Sequence, residues 1–396
     1  MKDSILVINC GSSSLKFAIL ANAGQDTLVE GIADRLGSDE SSITFKFEGQ
    51  KNVIQLEDSS HKNAVAQIKI WLKNHTIIEK SLAGIGHRVV HGGETFSKSV
   101  LINQDVIKGI KECAQFAPLH NPAHAKGMEV AFELFPGLPQ VAVFDTAFHQ
   151  TLAPEQYLYP IPMHFYREHH FRKYGFHGTS YRYISQRLAE IAQGSDLQGV
   201  LVAHLGNGAS TCAINKGQSS DTSMGITPLE GLMMGTRSGS LDPSLLSFIS
   251  QAENISADAA LDILNKKSGL LGVSEISNDC RTLEEAMESG DQRAKLALDM
   301  FAARTAKHLA SVATTLESID HLVFTGGIGE NSSYLRQVIC NHLKALNICI
   351  DSALNENAPR GEALNISLEN SNTHVWIIPT NEELMIALDT ISLIQQ

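Results

Sequence analysis

Apolar and polar positions along the chain alternate between two periods. Ile5–Ile8 is a continuous apolar run, the pattern of a strand buried on both faces, and Val141–Phe144 and Leu201–Ala203 repeat it. Ala64, Val65, Ile68, Trp71 and Leu72 recur at helical spacing, as do Val106, Ile110 and Cys113. Asp291 to Leu316 reads as a long Ala-rich helix, Leu322–Phe324 and Val375–Ile378 as strands, and Glu382–Ile394 as a closing helix. Short buried strands interleaved with helices predict an α/β architecture. Pro154, Pro160 and Pro162 punctuate the middle, and the polar stretch near 355–372 reads as a surface excursion.

The pattern also repeats over a long distance. Residues 5–20 (ILVINCGSSSLKFAIL) and 200–215 (VLVAHLGNGASTCAIN) align without a gap at an offset of 195. Leu6/Leu201, Val7/Val202, Gly11/Gly206, Ala18/Ala213 and Ile19/Ile214 are identical. Both segments read as strand, tight turn, strand. Chance similarity of two buried hairpins is one reading; a duplicated domain, each half supplying one glycine-turn hairpin, is the favoured one.

Length fits two or more domains, since 396 residues exceed the roughly 150 typical of one. An apolar fraction of 43% excludes intrinsic disorder. The charge sum, 31 − 43 = −12, with no Lys/Arg block, argues against nucleic acid or an anionic membrane as partner. Anion binding would therefore need locally concentrated cations. The six cysteines form no C-x-x-C pair, and no run is long enough to span a bilayer, so a reduced, cytoplasmic protein is expected.

Three small-residue turns follow apolar strands. Asn9–Lys16 (NCGSSSLK) offers backbone N–H groups, hydroxyls and the Lys16 charge to a phosphate, although no Walker A pattern occurs. His204–Ser210 (HLGNGAS) and Thr325–Asn331 (TGGIGEN) are the others, the last leading into a helix whose N-terminus could face a nucleotide. Ordinary hairpin turns are the alternative for each. Arg88 and Arg237 sit between glycines and Arg281 beside Asp279, settings that suit anion binding better than a solvated charge run. Asp145 ends an apolar strand, where functional carboxylates collect in open sheets, with a turn or cap role as the competitor. His164, His169 and His170 lack metal-ligand spacing, whereas His177 in YGFHGTSY is a candidate hydrogen-bond donor to a transferring phosphoryl group or a structural histidine.

Taken together, NCGSSSLKF, GHRVVHGGE, PLHNPAH, VFDTAFHQT, YGFHGTSY, HLGNGAS, DTSMGITPLEGLMMGTRSG, FTGGIGENS and PTNEELMIA, in that order from residue 9 to residue 387, resemble the acetate kinase family along nearly the whole chain. The resemblance implies two duplicated actin-like (ribonuclease H-like) α/β domains flanking a nucleotide cleft, in a homodimer. The expected division is 1–148 plus 383–396, closed by the C-terminal helix, and 149–382. The resemblance further implies Asp145, His177 and Arg237 as catalytic residues and Arg88 as the substrate-carboxylate arginine. Val90, Leu119, Phe176 and Pro228 would form a small acyl pocket. Lys16, His204, Leu205, Gly206, Asn207, Gly208, Asp279, Cys280, Arg281, Gly327, Ile328, Gly329, Glu330 and Asn331 would bind the nucleotide. Asn9 and Glu382 would associate with Mg²⁺, or with Mn²⁺ in its place.

The implied reaction is ATP + acetate ⇌ ADP + acetyl phosphate. A carboxylate nucleophile is already ionised at neutral pH, so Asp145 is expected to orient the metal, its waters or Arg88 rather than to act as a base. Val90 points to acetate over larger acids. The rival expectations are a propionate or butyrate kinase of the same family and a nucleotide-switched binding module.

Overall fold

The computed structural model describes residues 3–118, 120–192, 197–369 and 371–395. The chain divides into two units, Met1–Gln150 with Asn381–Gln396, and Thr151–Thr380.

The first unit is built on β1 (Ser4–Cys10), β2 (Leu15–Ala21), β3 (Asp26–Asp34), β4 (Ser42–Phe47), β5 (Gln50–Gln55), β6 (Leu82–Val89), β7 (Val100–Leu101) and β8 (Gln140–Phe144). They lie in the order β5-β4-β3-β2-β1-β6-β8-β7. β1 to β5 form an antiparallel meander, whereas β1, β6 and β8 are parallel. The apolar run in β1 is continuous because both faces are covered. Leu6 and Ile8 pack with the Ala64, Val65, Ile68 and Leu72 stripe of the His61–Asn74 helix and with Val130 and Ala131 of the Asn121–Leu134 helix. Ile5 and Val7 face the other way, packing with Val141, Val143, Ile386 and Ala387 of the Glu382–Ile394 helix. Each such fully buried aliphatic side chain contributes about 1.5–3 kcal/mol. That helix sits hard on β6. A Cβ at Gly86 would collide with Ile386 and Thr390, so glycine there sets the approach of helix to sheet.

The second unit carries β9 (Val200–Leu205), β10 (Ala209–Asn215), β11 (Gln218–Thr222), β12 (His321–Thr325), β13 (Leu364–Asn365) and β14 (His374–Ile377), ordered β11-β10-β9-β12-β14-β13. Its core repeats the first sheet. β11-β10-β9 is an antiparallel meander and β9, β12 and β14 are parallel, as are β1, β6 and β8. The aligned segments 5–20 and 200–215 are therefore topologically equivalent hairpins, β1–β2 and β9–β10. Both sheets thus share one plan, an antiparallel meander that continues through β1 or β9 into a parallel run.

The long Ala-rich helix covers Gln292–Ala313 and buries Ala294, Ala297, Leu298, Phe301, Thr305 and Leu309 at helical spacing. Asp291 is its cap rather than its first residue, accepting from the N–H groups of Arg293 and Ala294. The 355–372 stretch is more than a surface excursion. Ile366 is buried and its N–H donates to the Val375 carbonyl, and buried Asn355 accepts from Arg336 Nε at 2.7 Å. Polar composition hid it, because its asparagine satisfies an internal arginine instead of water.

Candidate functional site

In the first unit, the parallel register of β6 and β8 sets Arg88 opposite Val143, and Asp145 follows immediately, its N–H donating to the Val89 carbonyl at 2.9 Å. Two sequence-distant residues are thereby fixed side by side. Arg88 donates from Nη2 to Asp145 Oδ2 at 2.7 Å and from Nε to both carboxylate oxygens at 3.2 Å. Asp145 is only 1% exposed, whereas 21% of the Arg88 side chain remains open. Glu382 Oε2 stands 3.8 Å from Arg88 Nε, so one arginine bridges two carboxylates. Burial alone would lower the Arg88 pKa, but Asp145 and then Glu382 reverse this and raise it. Burial pushes the Glu382 carboxyl up, Arg88 opposes it, and Asp145 adds to it.

The neighbouring histidines add no charge. Burial holds His87 at about 4 and His91 at about 3, and with help from Arg88 it keeps His124 well below its ordinary value. Arg88 is thus a cation beside neutral imidazoles. Asn9, next to last in β1, lies directly opposite Lys16 on β2. Both line a pocket of about 470 Å³ with Glu30, Lys46, Asn381 and Glu383. Val90 is 8% exposed just beyond β6. Leu119 lies outside the described residues.

In the second unit, His177 holds a left-handed φ of 57° at the start of the Gly178–Ile191 helix, a strained conformation for a non-glycine residue. Its Nδ1 meets Ser210 Oγ at 2.8 Å, and its ring stacks on His204 at 4.2 Å. His204 Nδ1 in turn meets Ser180 Oγ at 2.9 Å. Arg237 Nη1 donates to the Pro228 carbonyl at 3.4 Å. Among the described residues no carboxylate pairs with Arg237, and burial lowers its pKa. A Cβ on Gly208 would stand 3.7 Å from both Arg237 Nη1 and His177 Nε2. Two donors therefore face one small residue, and the guanidinium still lacks a counter-charge. Phe176 is buried beside them in sequence, and Pro228 is half-buried.

Gly206, Asn207, Asp279, Cys280, Arg281, Gly327, Ile328 and Asn331 line a second-unit pocket of about 630 Å³. Other residues of the same stretches lie elsewhere. Leu205 is fully buried, and Glu330 turns inward to accept the N–H groups of Gly326 at 2.9 Å and Thr380 at 3.1 Å. The Gly326–Asn331 helix is a turn and a half long, and its first N–H is already satisfied by that glutamate. Asp279 caps the Cys280–Glu288 helix through Thr282 N–H at 3.0 Å. Ser332, the last residue of FTGGIGENS, also lines the pocket, as do Asn278, Glu284 and Arg360, which belong to none of the motifs named above. Arg360 comes from the loop before β13, a placement only tertiary structure supplies.

A buried arginine–carboxylate cluster can bind and aim an organic acid, and donors that converge on a glycine turn can neutralise a phosphoryl group. Among the described residues, no group of three or more His, Cys, Asp or Glu could hold a metal ion. No helix of the described residues is long and apolar enough to cross a membrane.

Comparison with known proteins agrees with this chemistry. Residues 4–388 match the model of the Acetokinase family. An acetate kinase of Chromobacterium violaceum is 49% identical over 394 residues, covering 99% of each chain. The crystal structure of Porphyromonas gingivalis acetate kinase shares 43% identity at a TM-score of 0.93, covering 99% of each chain. A propionate kinase from Francisella tularensis shares 46% identity at a TM-score of 0.94, covering 99% of this chain and all of the other.

Proposed function

The chain belongs to the acetokinase family, and from that premise we propose how its residues carry reversible phosphoryl transfer from ATP to acetate. An acetate oxygen attacks the γ-phosphorus, the bond to the β,γ-bridging oxygen breaks, and acetyl phosphate and ADP result with no proton transferred. Arg88 binds the acetate carboxylate, held in aim by Asp145 on its other side. Because the acceptor is already ionised, Asp145 serves as a positioning anion. Arg237 and His177 stabilise the charge spread over the equatorial oxygens of the transferring group. The residues lining the 630 Å³ pocket take the nucleotide, and Lys16 its phosphates. The reading is carried by one observation: Arg237, a half-buried arginine lacking a carboxylate partner, converges with His177 on Gly208.

Asn9 and Glu382 offer one amide and one carboxylate oxygen. This sparse oxygen set fits a magnesium ion that takes its remaining ligands from water and substrate phosphates, and manganese fits equally by donor type. When bound, the ion neutralises phosphate charge.

Trapping acetyl phosphate with hydroxylamine tests the activity directly. The ferric hydroxamate colour should require ATP, acetate and enzyme together, and its absence would refute the reading. The same assay with propionate and butyrate sets acetate against the reading as a propionate kinase. Val90, Phe176 and Pro228 are proposed to contact the acyl group, and Leu119 to join them. Replacing Val90 by Ala should raise kcat/KM for propionate relative to acetate by about tenfold, as one methylene's worth of space allows.

A homodimer is proposed on the Ser244–Glu253 helix, which has no buried residue and leaves Leu245 40% and Phe248 62% exposed. Leu245 borders an adjoining groove with Met233, Val273 and Met300. A second copy covering this helix would bury it. Phe248→Asp should weaken self-association by about thirtyfold or more in sedimentation equilibrium, the scale of an interface anchor.

A further inference from the structure

Tyr159 belongs to none of the motifs above, yet it holds the loop that carries Arg237 and Pro228. Its hydroxyl donates to Glu230 Oε2 at 2.5 Å and accepts from the Ile226 N–H at 2.8 Å. One side chain thus ties both ends of the Ile226–Glu230 turn. The residue before the turn is packed as tightly. A Cβ at Gly225 would collide with the Glu230 carboxylate and the Tyr159 hydroxyl, and the Gly225 carbonyl accepts from both Tyr174 and Gly175 N–H at 3.2 Å. Burial and the Glu230 charge keep the Tyr159 hydroxyl protonated, as donation to a carboxylate requires.

The backbone at Arg237 is fixed separately. The Met234 N–H donates to the Arg237 carbonyl at 3.0 Å, the Ser238 N–H to the Leu264 carbonyl at 2.9 Å, and Arg304 to the Ser240 carbonyl at 3.1 Å. The far end of the side chain is held more loosely: Nη1 donates to the carbonyl of Pro228, in the middle of the clasped turn, at 3.4 Å, and to Met234 Sδ at 3.7 Å.

We propose that Tyr159 and Glu230 are positioning residues, which clasp the Ile226–Glu230 turn so that the Pro228 carbonyl aims the Arg237 guanidinium at the transferring phosphoryl group. The proposal rests on the reading of Arg237 as a phosphoryl-stabilising donor.

Steady-state kinetics of Tyr159→Phe, Glu230→Gln, Arg237→Ala and the double variant Tyr159→Phe/Arg237→Ala test it. Tyr159→Phe keeps the ring and should lower kcat about tenfold, with KM for ATP changed by less than about twofold, the signature of a small misplacement. Glu230→Gln should keep more than about half of kcat, because its amide oxygen still accepts the tyrosine proton. In the Arg237→Ala background, Tyr159→Phe should cost less than about twofold, since the group it aims is gone. A silent Tyr159→Phe beside a crippled Arg237→Ala would overturn the clasp alone. Equal losses in both backgrounds would also overturn it, as general loosening of the unit. An Arg237→Ala enzyme with normal kcat would overturn the reading of Arg237 and the clasp with it.

Discussion

Asp145→Asn should lower kcat for acetyl phosphate formation about a thousandfold, the upper range for losing one preorganised electrostatic group. The amide keeps the shape of the carboxylate and its place after β8, so the sheet should fold as before. It loses the charge, and with one oxygen in place of two it cannot answer both Nε and Nη2 of Arg88. The guanidinium is then drawn towards Glu382, which already stands 3.8 Å away. Both the proposed acetate-binding cation and the proposed metal-associated carboxylate would be displaced by one substitution. KM for acetate should rise while KM for ATP changes little, and the hydroxamate assay over both substrate ranges reads the split. A variant within tenfold of normal kcat at saturating magnesium would remove Asp145 from the mechanism.

Arg237→Ala is the second large effect expected, a loss of about a thousandfold or more in kcat, as for other arginines that meet a transferring phosphoryl group. The argument comes from what Arg237 lacks: its hydrogen bond goes to a carbonyl, and no acid among the described residues compensates a charge that burial disfavours. Such a site is costly in the resting protein and is relieved when an anion arrives. Both KM values should stay within about threefold if the interaction belongs to the transition state. Arg237→Lys should recover little, because a point charge does not reproduce the planar fork. Single-turnover measurements separate this loss of chemistry from slow product release.

The strands that carry the site were legible where burial is two-sided. Ile5–Ile8, Val141–Phe144 and Leu201–Ala203 announce themselves because no polar residue can sit on either face. The edge strand β5 is not, since it is exposed at nearly every position and offers no period to read. The hairpin repeat revealed the duplication because each glycine turn follows a buried strand. That Arg88 and Asp145 touch depends on the pairing of β6 with β8, a register that neither strand encodes alone. Tyr159, Glu230 and Glu284 escaped notice for a related reason. Tyrosine and glutamate are ordinary surface residues in composition, and only packing turns them inward. Nothing in their local sequence marks His87, His91 and His124 for the interior, yet the fold buries all three, and burial lowers the pKa of each.

The Glu382–Ile394 helix has a consequence for synthesis. Ile5 and Val7 complete their packing against Ile386 and Ala387, which leave the ribosome only after the whole of the second unit. The amino-terminal half must wait, with one sheet face uncovered, while the entire second unit is translated and free to fold. Deleting residues 385–396 would therefore strike the face of β1 and β8 that Ile386 and Ala387 cover, and such a product should be caught by chaperones through that sheet rather than at the site of the deletion.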